Sequence, residues 1–169
     1  MIFVFWAAIA LVGATIHRWR DKEPRSPRRT AEIYLLWWLV VALGVAAVFG
    51  GVFHLVDQED TAKMIGFTNG DGGFQAEVGF ADIAFGVVCI LSIWFRGNWW
   101  LCALVAITIA YWGDGFGHIH QQVTNDDYAP DNGGLLLISD FLAPAIGLAL
   151  YAIMKKLGRD ESRAGAAST

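Results

Sequence analysis

The sequence predicts an all-α, polytopic transmembrane bundle of about five helices, N-terminus outside and C-terminus in the cytoplasm. Three observations carry that prediction. The 169 residues are 56% hydrophobic, with a mean hydropathy of +0.46, a larger apolar share than soluble domains have. The apolar residues fall in runs long enough to cross a hydrocarbon core of about 30 Å, separated by short polar segments. The basic residues are also segregated. Six lie in residues 18–30, one is Arg96 and four lie in the tail, so one side collects eleven of the twelve Lys and Arg and the other keeps only Lys63. The positive-inside rule makes the basic side cytoplasmic.

The first run, residues 1–17, lacks the basic leader and small-x-small cleavage site of a signal peptide and reads as a short spanning helix. Its inner end carries His17, Arg18 and Trp19, placed to snorkel. Residues 18–30 form a polar loop in which Pro24 and Pro27 break any helix; it serves as a topology signal or as a polybasic patch for lipid. The second span covers 32–56. Tyr34, Trp37 and Trp38 form an interfacial belt at its inner end, and Gly44, Gly50 and Gly51 are packing positions. A polar loop follows over 57–73, Gly-rich at NGDGG. The third span covers 76–95. Gly79, Asp82 and Gly86 share a small face that must pack on protein. Arg96-Gly97-Asn98 is a tight turn, the fourth span starts at Trp99, and 121–132 is an acidic loop. The fifth span covers 133–154, with Asp140 one turn before Pro144. One transmembrane domain, 1–156, thus precedes a short cytoplasmic tail, 157–169, expected to be disordered. Cys89 and Cys102 lie inside apolar runs without CxxC or zinc spacing, and read as small buried residues. No phosphate loop, RNA-binding aromatic set or basic recognition helix points to nucleic acid.

The chemistry concentrates in YWGDGFGHIH, residues 111–120. Asp114 and His118 are four apart and share a helix face, and His120 follows. Counting about 1.5 Å per residue from each outer helix end, Glu77 lies about 2 Å deep, His54 about 3 Å, Asp114 about 6 Å, and Asp82 and Asp140 about 9–10 Å. Five ionisable groups on four helices therefore occupy the outer third of the bundle, with no Lys or Arg at their level. A buried carboxylate persists by pairing, by holding a cation or by keeping its proton. Imidazole with carboxylate oxygen suits Zn, Fe, Mn or Cu. The expected ligand set is Glu77, Asp114, His118 and His54, close enough to share one ion or water, with Asp82, Asp140 and His120 behind it as orienting or proton-relay groups. Plainer roles compete. His54 and His118 suit interfacial hydrogen bonds to loop groups, His120 an exposed loop position and Glu77 a helix cap. Asp82 and Asp140 suit hydrogen bonds to each other or to Ser92, Thr108 or Ser139. Gly113, Gly115 and Gly117 allow close approach of a helix or ligand, or unwinding of the span's end.

FQAEVGFADIAFG on one helix followed by WGDGFGHIHQ on the next resembles small prokaryotic integral membrane proteins of unknown function. The resemblance covers the second to fifth spans and rests on Glu77-x-Gly79 and Gly117-His118. It implies a compact helical bundle in a prokaryotic inner (plasma) membrane and brings no established activity. The expected function is an outer-facing His/carboxylate pocket that binds a metal or a small lipophilic ligand. A catalytic version would perform metal-assisted oxidation or hydrolysis. The alternatives are a non-catalytic subunit of a larger membrane complex and a small proton-coupled carrier acting as an oligomer. The expected partners are membrane lipid and either a second copy or a larger complex.

Overall fold

Six helices form among the residues described by the computed structural model, 2–66 and 72–167, and no strand does. They are α1 (Ile2–Arg20), α2 (Pro27–Val56), the short α3 (Gln58–Met64), α4 (Gly72–Ile90), α5 (Asn98–Asn125) and α6 (Gly134–Ala167). Four of them, α2, α4, α5 and α6, are long and apolar enough to cross a membrane. The fold is all-α, as the apolar runs require.

The helix ends follow from local chemistry. Ser26 caps α2, its Oγ accepting the Arg29 N–H at 3.1 Å, and Pro27 stands at the first helical position, where its missing N–H costs nothing. The α4–α5 turn needs Gly97, whose φ of +68° is a left-handed conformation that favours glycine. Asp126, at φ 52°, ends α5 in a left-handed cap. Residues 121–125, expected in a loop, belong to α5, and residues 157–167, expected in a disordered tail, continue α6. The expected loop 57–73 contains α3, while its 67–71 portion, most of NGDGG, lies outside the described residues.

Packing starts from small residues. Gly44 and Gly51 of α2 face Gly86 and Gly79 of α4, in antiparallel register. A Cβ at Gly51 would stand 2.5 Å from the Gly79 carbonyl oxygen, and one at Gly86 would stand 2.7 Å from that of Gly44. The two backbones therefore touch, and the small face expected on α4 is buried against α2. Gly50 does not share this contact. A Cβ there would meet only Asp82 Oδ2, at 3.8 Å, so Gly50 borders open space.

α1 runs antiparallel along α2. Its Thr15 hydroxyl meets the Tyr34 hydroxyl at 2.9 Å, His17 Nδ1 accepts the Trp37 indole N–H at 3.1 Å, and Trp6 packs edge-on to Phe49 with centroids 5.6 Å apart. Between the bundle ends lies an apolar layer of Trp38, Leu39, Leu43, Leu104 and Ile107, all buried. Trp38 Nε1 donates to the Ala143 carbonyl at 2.9 Å, which fixes α2 to α6 inside that layer. Around Trp38–Val45 the turns of α2 widen to π-helical geometry, the kind of irregularity that is common beside functional sites. Cys89 is buried as expected; Cys102 is exposed, because its side of α5 faces outward.

Candidate functional site

On one side of the apolar layer the helices part around a cavity of about 320 Å³, within the range of small-molecule sites. Every long helix contributes to its wall. Phe3 and Trp6 come from α1, Gly50 and His54 from α2, and Gln75 and Asp82 from α4. Tyr111, Asp114 and His118 come from α5, and Ser139 and Asp140 from α6. Three carboxyl groups and two imidazoles thus converge from four helices, and among the described residues no Lys or Arg lines the cavity.

Each polar side chain is placed by helix periodicity. Asp114 and His118, one turn apart on α5, both reach the cavity, and Gly113 and Gly117 leave open space beside them. Gly115 points elsewhere. A Cβ there would stand 2.7 Å from the Phe141 ring, so this glycine admits α6, and the end of α5 stays helical rather than unwinding. On α6, Pro144 has no N–H to offer the Asp140 carbonyl one turn back, which leaves a backbone acceptor beside the Asp140 side chain.

The hydrogen bonds fix how the histidines are presented. Asn132 is fully buried in the α5–α6 loop, and its Nδ2 donates to the Asp127 carbonyl at 2.7 Å. Its Oδ1 therefore faces His118 Nδ1, at 2.6 Å. An amide oxygen only accepts, so Nδ1 carries a proton toward Asn132, and Nε2 is the ring nitrogen turned to the cavity. That Nε2 faces Asp140 Oδ2 across 3.9 Å, beyond hydrogen-bond reach, and Oδ2 is buried without a donor. His54 Nδ1 similarly meets Gln75 Oε1 at 2.8 Å, while the Gln75 amide nitrogen is buried with no acceptor. Such orphan groups are rare in a folded core unless a ligand or water completes them.

Two expected site residues lie elsewhere. Glu77 is exposed and does not line the cavity, so it does not converge with Asp114 and His118. It stands two positions from Gly79, about 200° around the helix, and so faces away from the small face. His120 is exposed for the same reason, two positions past His118. Among the described residues no three His, Cys, Asp or Glu side chains form a group able to hold a metal ion. The expected Zn, Fe, Mn or Cu set of Glu77, Asp114, His118 and His54 is therefore not assembled. Asp82 and Asp140, expected behind the ligands, line the cavity directly. The interfacial roles weighed for His54 and His118 are partly met, since both bond amide side chains rather than loop carbonyls.

Sequence reasoning passed over Gln75 and Asn132. Gln75 was detectable: it precedes Gly79 by four and Asp82 by seven, the spacing of one helix face. Asn132 had no such signal, because its position depends on how the α5–α6 loop folds back.

The chain belongs to the DUF6790 family, a family of unknown function, whose sequence profile matches residues 1–160. No curated protein and no solved structure matches it significantly.

Proposed function

We propose that this chain is a five-span protein of a prokaryotic plasma membrane, N-terminus outside and C-terminus in the cytoplasm, whose outer-facing cavity binds a small lipophilic ligand with an ammonium or similar multi-donor head. One observation carries the ligand chemistry. His118 Nε2 and Asp140 Oδ2 face each other across 3.9 Å, beyond hydrogen-bond reach, and Oδ2 has no donor among the described residues; with a neutral ring the two are a pair of acceptors. A single N–H-bearing head satisfies both. Asp82 and Asp114 add acceptors on the facing helices, no Lys or Arg among the described residues of the wall competes, and Phe3, Trp6 and Tyr111 supply apolar surface and ring faces for the rest of the ligand. The apolar layer of Leu39, Leu43, Leu104 and Ile107 on the far side counts against a carrier, which needs a polar route onward.

The test is a thermal-shift series on detergent-purified protein with octylamine, octanol and octanoate as probes. The expected result is stabilisation by octylamine alone, lost in Asp82→Asn/Asp140→Asn. Equal stabilisation by octanoate, or an unchanged octylamine response in the double variant, would remove the cationic-ligand reading.

A further inference from the structure

The opposite end of the bundle holds a second and larger cavity, about 620 Å³, unrelated to the polar site. Its wall carries Arg28, Arg96, Lys155, Arg159 and Arg163 against one carboxylate, Glu32. That carboxylate is already engaged, by Arg96 at 3.4 Å and Arg29 at 3.3 Å. Among the described residues, Arg28, Lys155, Arg159 and Arg163 have no carboxylate partner. Like charges crowded around one concavity repel, so the arrangement favours an anion that neutralises several at once.

The geometry is built rather than incidental. Gly158 lets Arg28 lie across α6: a Cβ there would stand 3.2 Å from Arg28 Nε. Arg96 lies over the Trp100 ring, 5.1 Å from its centroid, and Trp100 is buried, so the guanidinium is held on a fixed platform. The inner wall continues into Tyr151 and Met154, and the basic side chains form the outer rim. One ligand therefore meets guanidinium groups at one end and apolar surface at the other, where the apolar helices give way to polar sequence.

We propose that this basic cavity binds a phosphate group, with the headgroup of an anionic membrane phospholipid as its source and a soluble phosphate as the other source of the same chemistry. Arginine forks match phosphate oxygens two at a time, and basic pockets between helix ends at the cytoplasmic face suit such headgroups.

The experiment uses the full chain in detergent. Wild type is equilibrated with mixed micelles of phosphatidylglycerol and phosphatidylcholine, and retained lipid is counted by native mass spectrometry. A parallel thermal-shift arm uses inorganic phosphate. The variant is Arg159→Gln/Arg163→Gln, both exposed on late turns of α6, and the control is Arg20→Gln/Arg25→Gln, two exposed arginines outside the cavity. The expected result is preferential retention of phosphatidylglycerol, reduced on the order of tenfold in the variant and unchanged in the control. Protection by inorganic phosphate without lipid preference, again lost only in the variant, supports the site with a soluble source. Equal retention of both lipids with no phosphate effect overturns the proposal, as does an equal loss in the control. Should the variant fail to fold, wild-type retention of phosphatidylglycerol against rising salt decides: no decline overturns the proposal.

Discussion

Asp140 Oδ2 is buried with no donor among the described residues, so no other side chain depends on it for a hydrogen bond. Replacing such a group by an apolar one of similar size is neutral or favourable, because no partner is stranded. Asp140→Leu is therefore expected to leave the unliganded melting temperature unchanged or to raise stability by about 1 kcal/mol, while abolishing the octylamine response. Strong destabilisation in a melting experiment would mean that the carboxyl is a structural acceptor instead. Asp21 is the opposite case. It ties the α1–α2 loop to Arg29, whose Nε donates to it at 2.8 Å, with Arg18 3.9 Å away. The Arg29 hydrogen bond holds the Asp21 carboxyl below the ordinary carboxylate value. A lowered folded-state value means that the stabilisation is present above the unfolded-state pKa and is lost as pH falls through the folded one. Asp21→Asn is expected to melt below wild type at neutral pH and to converge with it as pH falls below the ordinary carboxylate range, as read from melting curves across pH. At this scale helix-face spacing and depth both led to residues that line the cavity, but depth alone also led to one that does not. Asp114, His118 and Asp82 follow from spacing and His54 and Asp140 from depth, whereas Glu77 was chosen for its depth although its angle placed it opposite Gly79.

The α2–α4 pair depends on backbone contact, so a single methyl discriminates between its glycines and those of the cavity wall. Gly79→Ala would place a Cβ 2.8 Å from the Gly51 carbonyl oxygen, an atom that cannot swing aside. Overpacking of this kind costs about 1–3 kcal/mol, roughly 2–10 °C of melting temperature. Gly113→Ala meets nothing within 4 Å and gains helix propensity, so it is expected to be neutral or to stabilise by up to about 1 kcal/mol. Equal losses for the two in thermal denaturation would contradict the contact assigned to Gly79. The helices themselves were legible because apolar runs of this length leave few other structures. Their ends were less so. Polar composition suggested loops over 121–125 and 157–167, but neither segment holds a proline, Gly158 and Gly165 are isolated in the sequence, and α5 and α6 carry on until a left-handed cap or the end of the described chain. The glycine contacts had a clear signal: Gly44 and Gly51, like Gly79 and Gly86, are seven apart, two helical turns on one face.

Along the bundle axis three layers follow one another on α2, α5 and α6: the polar cavity, the apolar layer around Leu43 and Leu104, and the basic cavity. The α6 positions show the order directly. Asp140 lines the first cavity, Gly147 touches Leu104, Trp38 and Leu43, and Tyr151 to Arg163 line the second. Arg28, Arg96 and Arg159 therefore gather at one end of the molecule, the charge asymmetry on which the topology rests. α1 decides whether four helices cross or five. It has 19 residues, about 28 Å of helix, and it stays beside α2 from the Arg18–Thr30 hydrogen bond at one end to the Trp6–Phe49 contact at the other. A helix antiparallel to a candidate spanning helix over that length shares its extent along the bundle axis, which is what supports the proposed fifth span. The expected outcome is an odd number of crossings, which puts the chain's two ends on opposite sides. In a Cys89→Ala/Cys102→Ala background, single cysteines at the exposed positions Glu59 and Val123 are expected to react with a membrane-impermeant maleimide on intact cells. Cysteines at Lys22 and Glu161 are expected to react only after permeabilisation, and an epitope tag at the N-terminus to be cut by external protease. Protection of that tag with Glu161 still shielded would leave α1 on the cytoplasmic side and give four spans. Labelling at Glu161 from outside would invert the bundle and turn the polar cavity toward the cytoplasm.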